Sequence, residues 1–244
     1  MEGYASNVIR EIIRTRAIPA GADYVVLMEF MALMSVRVPS GRDMVNQGVD
    51  FVSKALLKAA LRTPESWKSE LEAARGAGID IGEKDASFER MTEALAKGEF
   101  KFGIDQNYQI KTMLELMGKL GPCLAPRKWC VAVSDSGSLI CSDKPVTARF
   151  TRPKGALDSP GFMREDTEIT FPLSKHVLLV GSWEPHSSQV VPLTRRAVAF
   201  FNGVTARYCQ RFLFSSTKDF CWLDKEGKVR YDFGPLAKPL TTPI

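Results

Sequence analysis

Leu139-Ile140-Cys141-Ser142-Asp143-Lys144-Pro145-Val146 is a short apolar run that ends in a polar corner. Leu139 to Cys141 reads as the end of a buried strand. Pro145 has no N–H to give to a sheet ladder and holds Lys144 out of the helical region. Ser142 and Asp143 are thereby presented on a turn of fixed direction. Sites are built this way, and so are ordinary strand ends.

Outward from this corner the chain is strand-like. Trp129 to Val133 reads as a strand, Ser134-Asp135-Ser136-Gly137 as a turn, and Val146 to Phe150 as a further strand. Residues 151–165, rich in Pro, Gly and charge, form a long loop. Glu168 to Phe171 and Val177 to Gly181 are strands around Pro172-Leu173-Ser174-Lys175. Residues 194–208 place Ala197, Phe201, Val204 and Tyr208 on one helical face. Phe212 to Ser215 is a strand, and Trp222-Leu223 with Val229 to Phe233 makes a terminal hairpin.

Before residue 122 the period is helical. Helices are expected over 4–16, Asp23 to Arg37, 40–61, from Thr63-Pro64-Glu65 to the Gly76-Ala77-Gly78 break, 85–97 up to Gly98, and 105–120. The last faces Ile110, Met113, Leu114 and Met117 inward and stops at Gly121-Pro122. Apolar residues nearly encircle the helix from Asp23, which marks it as central. Helices first and mostly antiparallel strands second give an α+β fold: an N-terminal helical bundle packed on a C-terminal sheet that carries one helix. The expected organisation is a helical half, 1–122, a β-rich half, 123–235, and a frayed tail, 236–244, in one compact unit.

Composition narrows the class. The chain has 244 residues, 45% hydrophobic and 25% charged, with ample length for a core. The most apolar stretch, Tyr24 to Met34, contains Glu29 and is far short of the ~20 residues of a membrane span, so no membrane partner is expected. The N-terminus does not read as a signal peptide, and the five cysteines form no C-x-x-C pair, so free thiols in the cytoplasm are expected. The two histidines have no metal-ligand spacing to any cysteine, so no metal is expected, and Gly98, Gly103, Gly118 and Gly121 form neither a phosphate loop nor a dinucleotide fingerprint, so no cofactor is expected. Residues 1–121 hold 16 Lys/Arg against 17 Asp/Glu, whereas residues 122–244 hold 17 against 11. A basic half suits nucleic acid or another polyanion. A solvated positive surface is the plainer reading, because no aromatic-interleaved basic run stands out.

Six residues carry the candidate chemistry. Asp143 is either a general base or metal ligand, or a carboxylate capping the N–H groups of its own turn. Ser142 lacks a G-x-S-x-G context, and Lys144 completes the corner. Arg37 ends the apolar helix and is expected to pair with Asp143 where the two halves meet. His176 enters a strand with no nucleophile assigned to it, and Asn202 is expected to satisfy a buried strand carbonyl. No catalytic signature is complete, so whether the chain is an enzyme stays open. A binding or regulatory protein is the first reading, with a hydrolase acting on a phosphodiester or nucleic acid as the alternative.

Phe30 to Pro39 (F-x-A-L-x-x-x-R-x-P), the strand led by Trp129, Ser142 to Val146 (S-D-K-P-V), Phe171 to Ser174 (F-P-L-S) and Phe201 to Tyr208 (F-N-x-x-x-A-R-Y) occur in that order. Together they resemble the bacterial family catalogued as domain of unknown function 4238. The resemblance covers most of the chain and implies its architecture; it brings no established activity. Relatives begin with a segment reading approximately H-Y-x-P-x-x-Y-L-x-x-F, to which nothing here corresponds.

Overall fold

Val177-Leu178-Leu179-Val180 is apolar at every position, so a strand made of it needs cover on both faces. The computed structural model supplies that cover. It describes residues 2–79, 87–103, 105–152, 155, 158–224, 226–232, 234 and 236. Contacts gather into two units, residues 1–40 with 112–244, and residues 41–111.

The larger unit holds a five-stranded sheet. Its strands are β1 (Lys128–Val133), β3 (Thr147–Phe150), β4 (Thr167–Ser174), β5 (Val177–Ser182) and β6 (Val190–Pro192), in the order β3-β4-β5-β1-β6. All neighbours run antiparallel except β1 and β6, which are parallel. Period-two alternation sorts the side chains. Trp129, Val131, Ile169, Phe171, Val177 and Leu179 face one core together with helices α1 (Glu2–Thr15) and α2 (Gly21–Val36). Cys130, Ala132, Leu178 and Val180 face the other, under α7 (Arg195–Tyr208). The result is the expected α+β architecture, with a mixed sheet between helical layers. Two small antiparallel pairs complete it: β2 (Cys141–Ser142) with β7 (Leu213–Phe214), and the hairpin of β8 (Trp222–Leu223) and β9 (Val229–Arg230).

Local signals set most boundaries. Thr63 caps α4 (Pro64–Gly76) by accepting the Ser66 N–H at 3.1 Å, with Pro64 in the first turn. Gly98 closes α5 (Phe88–Lys97) in the left-handed region, at φ 70°. Three sequence expectations are corrected, and one strand was not foreseen. Helix α6 (Gln106–Leu124) runs through Pro122 instead of stopping before it. In the last turn the missing N–H costs one bond, and the exit is secured by Trp129 Nε1 donating to Leu124 O and Tyr24 OH to Ala125 O. Ile110 and Leu114 do not face inward; they are 48% and 55% exposed. Leu139 and Ile140 are buried but stand outside the ladder, which begins at Cys141. Strand β6 has no counterpart in the sequence reading: its parallel partner is distant in sequence, and its burial is too slight to leave an alternating pattern.

The smaller unit holds α4, α5 and most of α3 (Pro39–Ala60). Among its described side chains only Leu61 is buried, while Phe51, Val52 and Leu56 on α3 are exposed. The start of the helix expected at 85 and the tail after Leu236 lie outside what the structure describes.

Candidate functional site

Pro145 and the short β2 strand do present Ser142, Asp143 and Lys144 on a fixed turn. The Ser142 hydroxyl accepts the Lys144 N–H at 3.2 Å and donates to the Lys144 carbonyl at 2.9 Å, so it is spent within the turn. The Asp143 carboxylate reaches across to the segment that leaves α7. Oδ1 accepts the Gln210 N–H at 3.0 Å, and Oδ2 accepts the Arg211 N–H at 2.8 Å. Two successive amides make a concavity for an anion, and Asp143 fills it. The Asp143 N–H donates to Phe212 O at 3.0 Å, so backbone and side chain brace the same segment.

The Cys209 thiol also points at Asp143 Oδ1, at 3.6 Å. Burial first, and then the adjacent carboxylate, push that thiol up to about 11, which keeps it protonated and a poor nucleophile at neutral pH. The Lys144 ammonium lies 5.7 Å from the centre of the Tyr208 ring. Burial lowers its pKa, and the Asp143 charge partly opposes this.

Arg37 and His176 do not join this corner. The Arg37 guanidinium pairs with Glu2 at 2.5 Å, with both side chains more than half exposed, and no ion pair links it to Asp143. The expected Arg37–Asp143 bridge is therefore corrected. Arg37 is drawn to the first turn of α1, which packs on α2, while Asp143 is taken by backbone amides. His176 sits in the β4–β5 turn with Nδ1 at 3.0 Å from Ser134 O and its own carbonyl accepting the Ser134 N–H. His186 is a loop residue bridging Lys128 O and the Ser182 hydroxyl.

Asn202 does bond buried backbone, but the carbonyls it reaches lie just outside the strands and not within one as expected. Fully buried on α7, it accepts the Ile140 N–H at 2.9 Å and donates to Ser138 O and Cys221 O, each at 2.8 Å. It therefore holds the segment before the corner and the residue that leads into the terminal hairpin to one helix. Two arginines escaped the sequence reading. Arg127 is 3% exposed, donates to the carbonyls of Phe162, Arg164, Thr167 and Gly181, and lies 5.0 Å from the Trp183 ring centre. Its burial lowers its pKa. Arg149 pairs with Glu168, its cross-strand neighbour, at 2.7 Å and lies 4.8 Å from the Phe200 ring centre. The only sequence signal for either is a charge at the start or middle of an apolar strand.

Among the described residues, no group of three or more His, Cys, Asp or Glu is placed to hold a metal, and no described helix is long and apolar enough to cross a membrane. The five cysteines are free thiols. A groove of about 1000 Å³ lies between α3 and α5. A smaller cavity of about 330 Å³ lies beside the corner, between Leu139–Cys141, Pro172–Lys175 and Phe214–Ser216.

These features define an α+β protein with a mixed sheet between helices and a polar corner bonded onto the exit of its last helix. The chain belongs to the family described as protein of unknown function (DUF4238), whose profile matches residues 1–219. Searches of curated proteins and of solved structures each found no match.

Proposed function

We propose that this protein acts by binding, as a regulatory or adaptor component of the bacterial cytoplasm, and not by catalysis. One observation supports the reading: both oxygens of Asp143, the best acid–base candidate, are committed to the amides of Gln210 and Arg211. A carboxylate so held stabilises its own turn, a role that accounts for both oxygens without a substrate.

Asp143→Asn is the first test. An amide presents one oxygen and turns N–H groups toward one of the two backbone donors, so a loss of about 1–2 kcal/mol in urea denaturation is expected. The same preparations are assayed for turnover of DNA, RNA and nucleotides, with and without divalent metal. The expected result is none. Turnover that Asp143→Asn abolishes in a folded protein would replace the binding reading with the phosphodiester hydrolase.

A further inference from the structure

Arg207 to Lys218 contains three basic residues, no acidic one and three aromatics: Arg207, Arg211 and Lys218 with Tyr208, Phe212 and Phe214. The sequence pattern does not isolate this run, because the exit of α7 divides it. Strand alternation in and around β7 sorts it in space. Leu213 turns inward against Ile140, Ala206, Phe220 and Trp222. Phe212 and Phe214 turn outward, 60% and 55% exposed, with ring centres 6.4 Å apart and planes inclined by 34°.

Two neighbouring rings left in water give the fold nothing that Leu213 does not already supply. Arg211 and Lys218 flank them and are exposed. The 330 Å³ cavity adjoins Phe214 and is walled by Ser215, Ser216, Ser174 and Lys175, which places hydroxyls and a further cation beside the aromatic surface. Its volume lies at the lower end of the range for small-molecule sites, roughly 300–1,000 Å³. Two acids border this face: Asp143, across the β2–β7 pair, accepts two backbone amides, and the exposed Asp219 follows Lys218, so the cations outnumber the acids by three to two.

We infer that β7 and its flanks form a stacking platform for single-stranded nucleic acid, the partner class for the binding function proposed above and dependent on that reading. Bases lie on Phe212 and Phe214, and phosphates meet Arg211, Lys218 and Lys175. Stacking accepts any base, because each has a π-face, and a basic track follows the backbone. A duplex keeps those faces inside its own stack and offers none to the rings. An acidic peptide would satisfy the cations but leave the rings unused.

The probe is a fluorescein-labelled oligothymidine of about 15 nucleotides, followed by anisotropy, with a duplex of equal length as control. Binding of the single strand is expected at low salt, more tightly than the duplex. Three phosphate contacts predict affinity falling roughly twenty-fold between about 50 and 200 mM salt. The double variant Phe212→Ala/Phe214→Ala is expected to lose at least about tenfold in affinity while keeping its circular dichroism, since both rings are exposed. Arg211→Gln is expected to flatten the salt dependence.

No binding at low salt, wild-type affinity in the double variant, or equal affinity for the duplex would each overturn the platform. So would sedimentation showing self-association that the double variant abolishes, because the rings would then be covered by a second copy. Cleavage of the oligonucleotide would instead overturn the non-catalytic reading and leave the platform standing.

Discussion

Asn202 lies on α7 and Arg37 caps the end of α2, and their environments set opposite consequences for their loss. Asn202 is fully buried and gives partners to one N–H and two carbonyls. Asn202→Leu fills similar space but orphans all three, each at about 1–3 kcal/mol, so a loss of about 3 kcal/mol or more is expected. Arg37 and Glu2 form an exposed pair, 56% and 64% accessible, so Arg37→Ala is expected to cost about 0–1 kcal/mol. Urea denaturation of the two variants checks the order, and an Arg37→Ala loss equal to that of Asn202→Leu would contradict it.

Helix α7 ties the corner, the sheet and the terminal hairpin together. Thr194 caps its start by accepting the Ala197 N–H at 3.2 Å, and its exit is caught by Asp143. It passes close to β8 at Gly203, where an added Cβ would stand 2.8 Å from Leu223 O. That atom is backbone in β8 and cannot swing aside. Gly203→Ala gains about 1 kcal/mol of helix propensity but forces α7 and the hairpin apart. A net destabilisation of about 1–3 kcal/mol is expected, read as a lower thermal midpoint. A rise in the midpoint would show that the hairpin moves freely on the helix.

Across the whole molecule, burial is unevenly shared. The sheet unit holds the three buried clusters, around α1 and α2, under α7, and at the terminal hairpin. Residues 41–111 bury only Leu61 among their described side chains, and α4 and α5 bury none. Few buried apolar contacts mean a low cost of local opening. Hydrogen exchange read by mass spectrometry is expected to show β1, β4 and β5 as the slowest segments. Helices α4 and α5 should open at a free energy lower by roughly a few kcal/mol. Equal protection in both sets would mean that residues 41–111 are held by more than their own packing.

The sequence by itself determined whatever short-range physics can decide. The switch from helical to strand period placed the α+β class, and Thr63-Pro64 and Gly98 placed helix ends through caps that act within four residues. Asn202 announced itself because a lone amide on an apolar face must find a buried partner. Only the tertiary structure decided who meets whom at long range. Asp143 found amides 67 and 68 residues away, and Arg37 found Glu2, because nothing in a charged side chain encodes which opposite group the fold will bring near. Pro122 was overridden because its helix ends on carbonyls that Tyr24 and Trp129 satisfy. Phe212 to Ser215 read as a strand with no face assigned, and pairing with β2 fixed which side of β7 faces water: a strand pattern gives the alternation, and only its partner gives the face.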